Sequence, residues 1–363
     1  MKTSAKGRVA GALSDCLRRE LTSGKVAPGS YVAPIRELAG RYSVAVMTVQ
    51  RALRALESEG LLAAEPGKGY RVQALVNDPL RDCPLAYVLS GEIAGGQEGV
   101  FYMRLNAEIE GAARARGLKM VGLVAGQADA AEVFSRLEET RAWGLIVDSM
   151  DEAILERAER SGLPVVAVDI WDPGWRFDAV TQDNVAGGEQ AATWLAGMGH
   201  TNIGWFGPLN RTRIGKERHA GAVLGLTSCG LKLGACLDVD IDDPELPGKA
   251  RELLSGANRP TAVLALWMTT AVAVRDAARD LGLAPGRDLD IVSWCAREIR
   301  ERAYAQALGG DAAPPAVTWS IRTMAETAIS RLLERRANRG LAPIRMTVPV
   351  SLQVAKPDSA KRG

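Results

Sequence analysis

The segment Pro28–Val72 limits the possible folds of this chain more than any other, because it combines two helical patterns with a glycine-rich turn. In the second pattern the apolar residues recur at spacings of three and four, which predicts a helix with one face in a core: Val46, Val49, Leu53 and Leu56. The turn Glu65–Gly69 then separates two short strand-like segments, which predicts a β-hairpin. Helix, turn, helix and hairpin together predict a winged helix-turn-helix domain, whose expected partner is double-stranded DNA.

A further amphipathic helix is predicted before this segment, over Ala5–Ser23. Its apolar residues fall at every fourth position and are expected to pack under the other two helices: Val9, Leu13, Leu17 and Leu21. Residues 1–76 contain twelve Lys/Arg and six Asp/Glu, a net charge of +6, which leaves −4 for the rest of the chain. A small basic domain joined to a mildly acidic body is typical of a DNA-binding protein with a second function.

The helical and hairpin segments also resemble the DNA-binding domain of the GntR family of bacterial repressors, over about Gly7 to Val72. The similar residues are Arg36-Glu37-Leu38-Ala39, Thr48-Val49-x-Arg51-Ala52-Leu53 and Pro66-Gly67-Lys68-Gly69-Tyr70. The resemblance implies DNA contacts from the second helix, the third helix and the wing tip: Arg36, Thr48, Gln50, Arg51, Lys68 and Gly69. The chain departs from the family at Ala45-Val46, where Ser-Arg is usual, so a helix cap and a DNA-contacting arginine are absent.

After Leu85 short apolar segments alternate with helical ones. Nearly uninterrupted apolar strands are typical of parallel sheets with helices on both faces, so we predict an α/β body with two lobes and two doubly wound parallel sheets. The expected strands are Leu85–Ser90, Lys119–Ala125, Gly144–Asp148, Pro164–Asp169, Ala179–Gln182, Asn202–Phe206, Ala262–Ala265, Leu289–Ser293 and Val317–Trp319. A ligand is expected outside the carboxyl ends of these strands, in a cleft between the lobes.

This body resembles the effector domain of the lactose-repressor family, over about Leu85 to Lys356. The motifs Asp183-Asn184, Arg218-x-x-Gly221 and Arg259-Pro260-Thr261-Ala262 carry the resemblance, together with a closing strand segment, Pro343–Val354. A GntR-type head on such a body is the arrangement of the arabinose-repressor subgroup. The expected domains are a winged helix-turn-helix domain (1–72), a linker (73–84) and an effector-binding and dimerisation domain (85–356). Lobe one is expected at about 85–181 and 320–340, and lobe two at about 182–318 and 341–356.

The resemblance implies that Arg218 contacts the effector, that Asp148 and Asp169 face the cleft, and that the pair Phe101-Tyr102 lies at its mouth. Without the resemblance, the sequence would equally fit a surface arginine at Arg218, and turn residues or helix caps at Asp148 and Asp169. Tryptophan is unusually frequent, with eight Trp against four Phe, and several lie at or just after predicted strand ends, where a ring could stack on a ligand: Trp171, Trp267, Trp294 and Trp319.

Two departures affect the ligand. Trp267-Met268 stands where the family has Asn-Asp, and Cys295-Ala296 stands where it has Asp-Asp, so Cys295 is also expected among the effector-binding residues. An unmatched buried hydroxyl costs about 1–3 kcal/mol, so an ordinary hexose or pentose should fit poorly, and a flatter, less hydroxylated or differently charged ligand, sugar-like or sugar-derived, should fit better. The alternative is that no ligand binds and the body serves only to dimerise the DNA-binding heads.

Other function classes are weakly supported. The sequence has no P-loop and no G-x-S-x-G, and its five cysteines are scattered, so we expect no enzyme, catalytic residue, cofactor or metal site. An enzyme or a secreted solute-binding protein is a remote alternative. The N-terminus lacks an apolar signal-peptide region, and no apolar run is long enough for a membrane span. We therefore expect a cytoplasmic transcriptional regulator, a repressor that binds a palindromic operator as a homodimer.

Overall fold

The computed structural model describes residues 5–22, 29–73, 83–89, 99–125, 130–148, 151–209, 212–300, 304 and 313–354. Its α/β architecture comprises a helical head with one two-stranded sheet, followed by two sheets of six strands each. Most of the predicted linker (74–82) and of the loop before Phe101 (91–98) lies outside these residues. Among the described helices, none is long and apolar enough to cross a membrane.

The described part of the head contains three helices and a hairpin: α1 (Ala5–Thr22), α2 (Ile35–Arg41), α3 (Val46–Ser58), β1 (Leu62–Glu65) and β2 (Gly69–Val72). Leu13, Leu17 and Leu21 are buried against the apolar face of α3, but Val9 is 48% exposed, so its predicted place in the core is wrong. The reason is geometric: each step of four residues advances about 40° around a helix, so the first member of the series has turned away from α3.

The elements of the body follow in chain order. The first lobe begins with β3 (Leu85–Leu89), α4 (Gly99–Arg114), β4 (Met120–Val124), α5 (Ala130–Glu139), β5 (Gly144–Val147), α6 (Glu152–Arg160), β6 (Val165–Val168) and β7 (Asp178–Gln182). The second contains α7 (Asn184–Gly197), β8 (Ile203–Phe206), α8 (Arg213–Ser228), β9 (Cys236–Leu237), α9 (Leu246–Ser255), β10 (Ala262–Ala265), α10 (Trp267–Asp280), β11 (Asp290–Trp294) and β12 (Ala316–Thr318). The chain closes with α11 (Ile321–Ala337), β13 (Arg345–Val348) and β14 (Ser351–Gln353).

The first sheet has the strand order β13-β7-β6-β5-β3-β4, and all its pairs are parallel. The second sheet has the order β14-β12-β11-β10-β8-β9, and only its edge pair, β12 with β14, is antiparallel. Core strands such as β5, β6, β8 and β10 are buried at every residue, as their continuous apolar sequences predicted.

The chain crosses between the two sheets at three places: after β7, after β12 and after β13. The structure corrects the expected division here, because 341–356 does not belong as a unit to the second lobe. Arg345–Val348 pairs with β7 in the first sheet, and only Ser351–Gln353 joins the second. Pro349 lies between them and cannot donate a ladder hydrogen bond, so one extended segment is divided between two sheets.

Helices α7 and α8 approach each other unusually closely. A Cβ atom added at Gly188 would lie 2.0 Å from the backbone oxygen of Arg218, and one at Gly221 would lie 2.0 Å from that of Val185. Only glycine permits this backbone contact. The contact fixes the start of α7, which carries Asn184, next to the middle of α8, which carries Arg218.

Candidate functional site

The outer face of α3 carries the predicted DNA-contacting residues of the third helix. Arg51 is exposed, and Thr48 and Gln50 are half-buried at its margins, while the opposite face is packed in the core of the head. Arg36 is exposed on α2. The exposed cations at this surface can pair with backbone phosphates, and the side chains near the start of α3 can reach base edges in a groove.

The wing is held by Glu65, which accepts hydrogen bonds from Tyr31 Oη (2.5 Å) and Arg71 Nε (2.6 Å). These two hydrogen bonds hold the pKa of the Glu65 carboxyl below its ordinary value. Tyr31 also forms a backbone bridge with Arg71, which ties the segment before α2 to the hairpin. The carboxylate thereby positions the wing tip, where Lys68 is exposed and Gly69 has a φ of 109° that favours glycine.

Helix α3 begins without a side-chain cap. Ala45 occupies the N-cap with φ −68° and ψ 146°, the extended geometry from which a serine hydroxyl would accept a backbone N–H bond. The departure expected from the sequence is therefore confirmed at this position. Val46 and Met47, the first two residues of the helix, are 43% and 60% exposed, so the predicted place of Val46 on the buried face of α3 is wrong.

In the body, Arg218 lies at the centre of an aromatic group between the two sheets. Its side chain is 1% exposed, and its Nε donates a 2.9 Å hydrogen bond to Asn184 Oδ1. The guanidinium carbon lies 5.4–5.9 Å from three indole ring centres: Trp267, Trp294 and Trp319. Guanidinium groups are attracted to aromatic faces at such distances, so the rings and Arg218 stabilise one another.

Asp169, just after β6, approaches the same group from the first lobe. It is 7% exposed and accepts hydrogen bonds from Gln182 Nε2 (2.5 Å) and Tyr102 Oη (3.2 Å). Burial raises the pKa of the Asp169 carboxyl above its ordinary value, although both hydrogen bonds and the positive charge of Arg218 act to lower it. Phe101 packs edge-on against Trp319 with their ring centres 6.0 Å apart, and so connects the lobes beside this carboxylate.

Asp148, just after β5, is fully buried and accepts a hydrogen bond from Tyr87 Oη. Burial, followed by the charge of Asp148, raises the pKa of the Tyr87 hydroxyl well above its ordinary value. Asp148 is thus enclosed in the first lobe, where Tyr87 on the neighbouring strand β3 is a hydrogen-bond partner.

Trp171 lies at a second contact between the lobes. The guanidinium carbons of Arg213 and Arg345 lie 4.7 Å and 4.3 Å from its ring centre. Both arginines also bond to Glu217 on α8: Arg345 donates from Nη1 and Nη2 at 2.6 Å each, and Arg213 donates from Nε at 3.3 Å. Burial acts to raise the pKa of Glu217, but the bonds and charge of Arg345 outweigh it, so that pKa lies below its ordinary value.

The predicted effector residues therefore fall into separate groups. The larger group lies around the guanidinium of Arg218 and also comprises Asp169, Phe101, Trp267, Trp294 and Trp319. Trp171 and Asp148 lie at the margins of this group. Cys295 is buried in a separate small apolar cluster with Tyr304 and Met268. Four further residues that the fold brings to the site were not predicted as site residues from the sequence: Gln182, Asn184, Glu217 and Arg345. The Asp183-Asn184 pair was a usable signal, because Asp183 caps α7 and so places Asn184.

Backbone strain also concentrates at this site. Of the four non-glycine residues with positive φ among the described residues, two are Asp169 (65°) and Trp267 (66°). Each such conformation costs on the order of 1 kcal/mol and persists where the surroundings enforce it, which is common at ligand sites. Trp267 is also more exposed than Trp294 and Trp319, which are 2% and 4% exposed.

Comparison with known proteins agrees with the two parts of this structure. The family model described as "Bacterial regulatory proteins, gntR family" matches residues 10–72, and "Periplasmic binding protein-like domain" matches residues 192–355. The chain is 29% identical over 219 residues to the HTH-type transcriptional repressor PurR of Escherichia coli O1:K1, which covers 58% of this chain and 61% of the relative. It is 28% identical over 214 residues to the HTH-type transcriptional regulator DegA of Bacillus subtilis, covering 57% and 60%. The chain thus spans about three-fifths of the length of the curated relatives that it matches.

Solved structures share the fold at lower identity. The complex of the transcriptional regulator CelR with cellobiose superposes with a TM-score of 0.63 at 19% identity, over 89% of this chain and 99% of that one. A LacI family regulator from Enterococcus faecium with bound ribose gives 0.61 at 20% identity, over 74% and 96%. The Lac repressor dimer bound to operator and the anti-inducer ONPF gives 0.61 at 19% identity, over 74% and 92%. Residues 10–72 of the chain therefore match a GntR-type helix-turn-helix domain, residues 192–355 match a periplasmic-binding-protein-like domain, and the two-lobed fold is shared with these solved structures.

Proposed function

We propose that this protein is a transcriptional repressor that binds a palindromic DNA operator as a homodimer and responds to a small molecule between the lobes of its body. The observation that carries the DNA-binding role is the outer face of α3, where exposed Arg51 stands beside Thr48 and Gln50 while the wing presents Lys68. The curated relatives are named as transcriptional regulators or repressors, which supports the same role. No catalytic step is part of this proposal.

Two copies are proposed because one helix-turn-helix reads only a few base pairs, and a twofold dimer reads two half-sites. Both lobes present exposed apolar side chains that a second copy would cover. In the first lobe these are Val100, Met103 and Val124, which are 50%, 59% and 56% exposed. In the second they are Val223 and Leu224 on α8, which are 40% and 51% exposed. The Lac repressor with a similar fold is described as a dimer on its operator.

The proposed effector site is the group around Arg218 and Asp169. A guanidinium donor, a carboxylate acceptor and indole rings can together hold a small polar ring, such as a sugar or a sugar derivative. Since Arg218 and Asp169 are nearly sealed, a ligand reaches them when the lobes separate or when the partly exposed Trp267 moves. Such movement would change the spacing of the DNA-binding heads. The free energy available for this change is no larger than the difference in the ligand's binding free energy between the two arrangements.

The DNA-binding role is tested by selection of random-sequence duplexes with the purified full-length chain. Enrichment of one inverted-repeat sequence supports the proposal, and the absence of any enriched sequence at low salt contradicts it. The effector role is tested separately by titration of tryptophan fluorescence with sugars, sugar acids and nucleosides. A saturable change that disappears in Arg218→Met supports a ligand site. No response to any class supports the alternative in which the body only dimerises the heads.

A further inference from the structure

The first turn of α3 exposes apolar side chains where a DNA-reading helix ordinarily presents polar ones. Val46 and Met47 are 43% and 60% exposed, although Val49, Leu53 and Leu56 of the same helix are at most 1% exposed. The helix therefore already has a complete buried face, and Val46 and Met47 lie outside it. Their exposure is not explained by packing within the head.

Helical geometry places these two residues in line with the polar donors of the same face. Residues four apart lie one turn above each other, so Met47 precedes Arg51 and Val46 precedes Gln50 on the helix surface. Arg51 is exposed and Gln50 is half-buried, as expected for rows on the outer side of α3. The outer face thus begins with two apolar side chains, and the polar side chains of Thr48, Gln50 and Arg51 follow them.

The apolar first turn has a specific complement in DNA. In the major groove each base pair presents hydrogen-bonding groups, and the one apolar group is the C5-methyl of thymine. Residues near the N-terminus of a recognition helix are the ones that contact base edges. We propose that Val46 and Met47 contact thymine methyl groups, and that each operator half-site therefore requires thymine next to the bases faced by Gln50 and Arg51.

This inference rests on the proposed function, since it concerns the DNA that α3 reads. The side chain of Ala45 gives a second reason to expect an apolar contact with the DNA. With alanine at the N-cap, residues 45–47 have no side-chain donor or acceptor for a neighbouring phosphate or base before Thr48. Residues 45–47 therefore offer the DNA only apolar side chains, and discrimination at this position depends on shape and on the methyl group.

The test replaces each thymine of the selected operator, one at a time, with deoxyuridine, which lacks only the methyl group. Binding is measured by fluorescence anisotropy at fixed salt. We expect one thymine in each half-site at which the replacement weakens binding about fourfold, the equivalent of about 0.8 kcal/mol for one buried methyl-sized group. At that position Met47→Ala or Val46→Ala should bind thymine and deoxyuridine equally.

The matched control is Met198→Ala, which removes a methionine of similar exposure (51%) on the body. This variant should retain the full preference for thymine over deoxyuridine. Equal binding of all the deoxyuridine duplexes by the unaltered protein overturns the inference while leaving the DNA-binding role intact. The inference is also overturned if both Val46→Ala and Met47→Ala keep the preference. Failure to select any DNA instead contradicts the proposed function itself.

Discussion

Arg345 and Glu217 form a bidentate ion pair between the two lobes, with both nitrogen–oxygen distances at 2.6 Å. Arg345 lies on β13 of the first sheet, and Glu217 lies on α8 of the second lobe. The same arginine bonds to Thr181 and stacks on Trp171. The pair therefore joins the lobes beside β13, next to a segment where the chain crosses from one sheet to the other.

Replacement of Arg345 by Gln should destabilise the body, because Glu217 would remain largely buried without its main partner. Removal of one member of a buried pair typically costs about 3–5 kcal/mol, and because Arg345 is partly exposed we expect a loss in the free energy of unfolding at the lower end of this range. Arg251→Gln is the matched control, since its pair with Asp280 is exposed and should contribute less than about 1 kcal/mol. Thermal unfolding of the three proteins measures both values, and equal melting temperatures for the two variants would contradict this role for Arg345.

The Glu217 pair should also make stability depend on pH. The pKa of Glu217 is lowered in the folded protein from an ordinary value of 4.5. Its contribution is therefore complete above the unfolded pKa and is lost as the pH falls through the folded one. The stability difference between the unaltered protein and Glu217→Gln should be constant near neutral pH and should shrink below about pH 4.5. A difference that grows on acidification would contradict the assignment.

Gly188 should tolerate no side chain. In Gly188→Ala the added methyl group would meet the backbone oxygen of Arg218 at 2.0 Å, so α7 and α8 must separate and Arg218 must move. We expect the free energy of unfolding to fall by more than about 3 kcal/mol, which is the upper end of the range for overpacked cores. Gly197→Ala, at the end of the same helix, meets no atom within 4 Å and should be neutral or stabilising. Circular dichroism melts distinguish the two, and comparable melts would mean that the helices are not in close contact.

Arg51→Ala should weaken operator binding without affecting the fold. Arg51 is exposed on α3, and an arginine that contacts a base contributes about 1–3 kcal/mol of discrimination. Its control is Arg114→Ala, which removes an exposed arginine of the body that pairs with Glu110 on its own helix. Anisotropy titration with the selected operator measures the loss. An unchanged affinity in Arg51→Ala would show that α3 is not the recognition helix.

Much of the fold could be predicted because the physical causes are local. Strands such as Gly144–Val147 and Ala262–Ala265 are buried on both faces, and continuous apolar sequence is the direct consequence. The α/β fold with its two-lobed body and helix-turn-helix head is predicted by these patterns and is confirmed. The short strand Cys236–Leu237 could not be predicted, because two residues at a sheet edge leave no periodic signal.

The site was harder to predict because its members come from distant parts of the chain. Arg345 lies in an extended segment with the pattern of one strand, and nothing local shows that Pro349 divides it between two sheets. The meeting of Arg345 with Glu217 depends on that division. Similarly, four tryptophans at strand ends give no indication which ring is enclosed, and the structure surrounds Arg218 with three of them. Long-range packing decides such contacts, and sequence periodicity does not record it.

The number of protein chains on the operator follows from the mass of the complex between the full-length protein and its selected operator, determined by light scattering after gel filtration. A dimeric repressor predicts two protein chains on one duplex that contains an inverted repeat, with each head on one half-site. The same mass should be found whether or not a ligand occupies the body, provided the complex is saturated. A single chain on the duplex, at full operator affinity, would contradict a dimeric repressor.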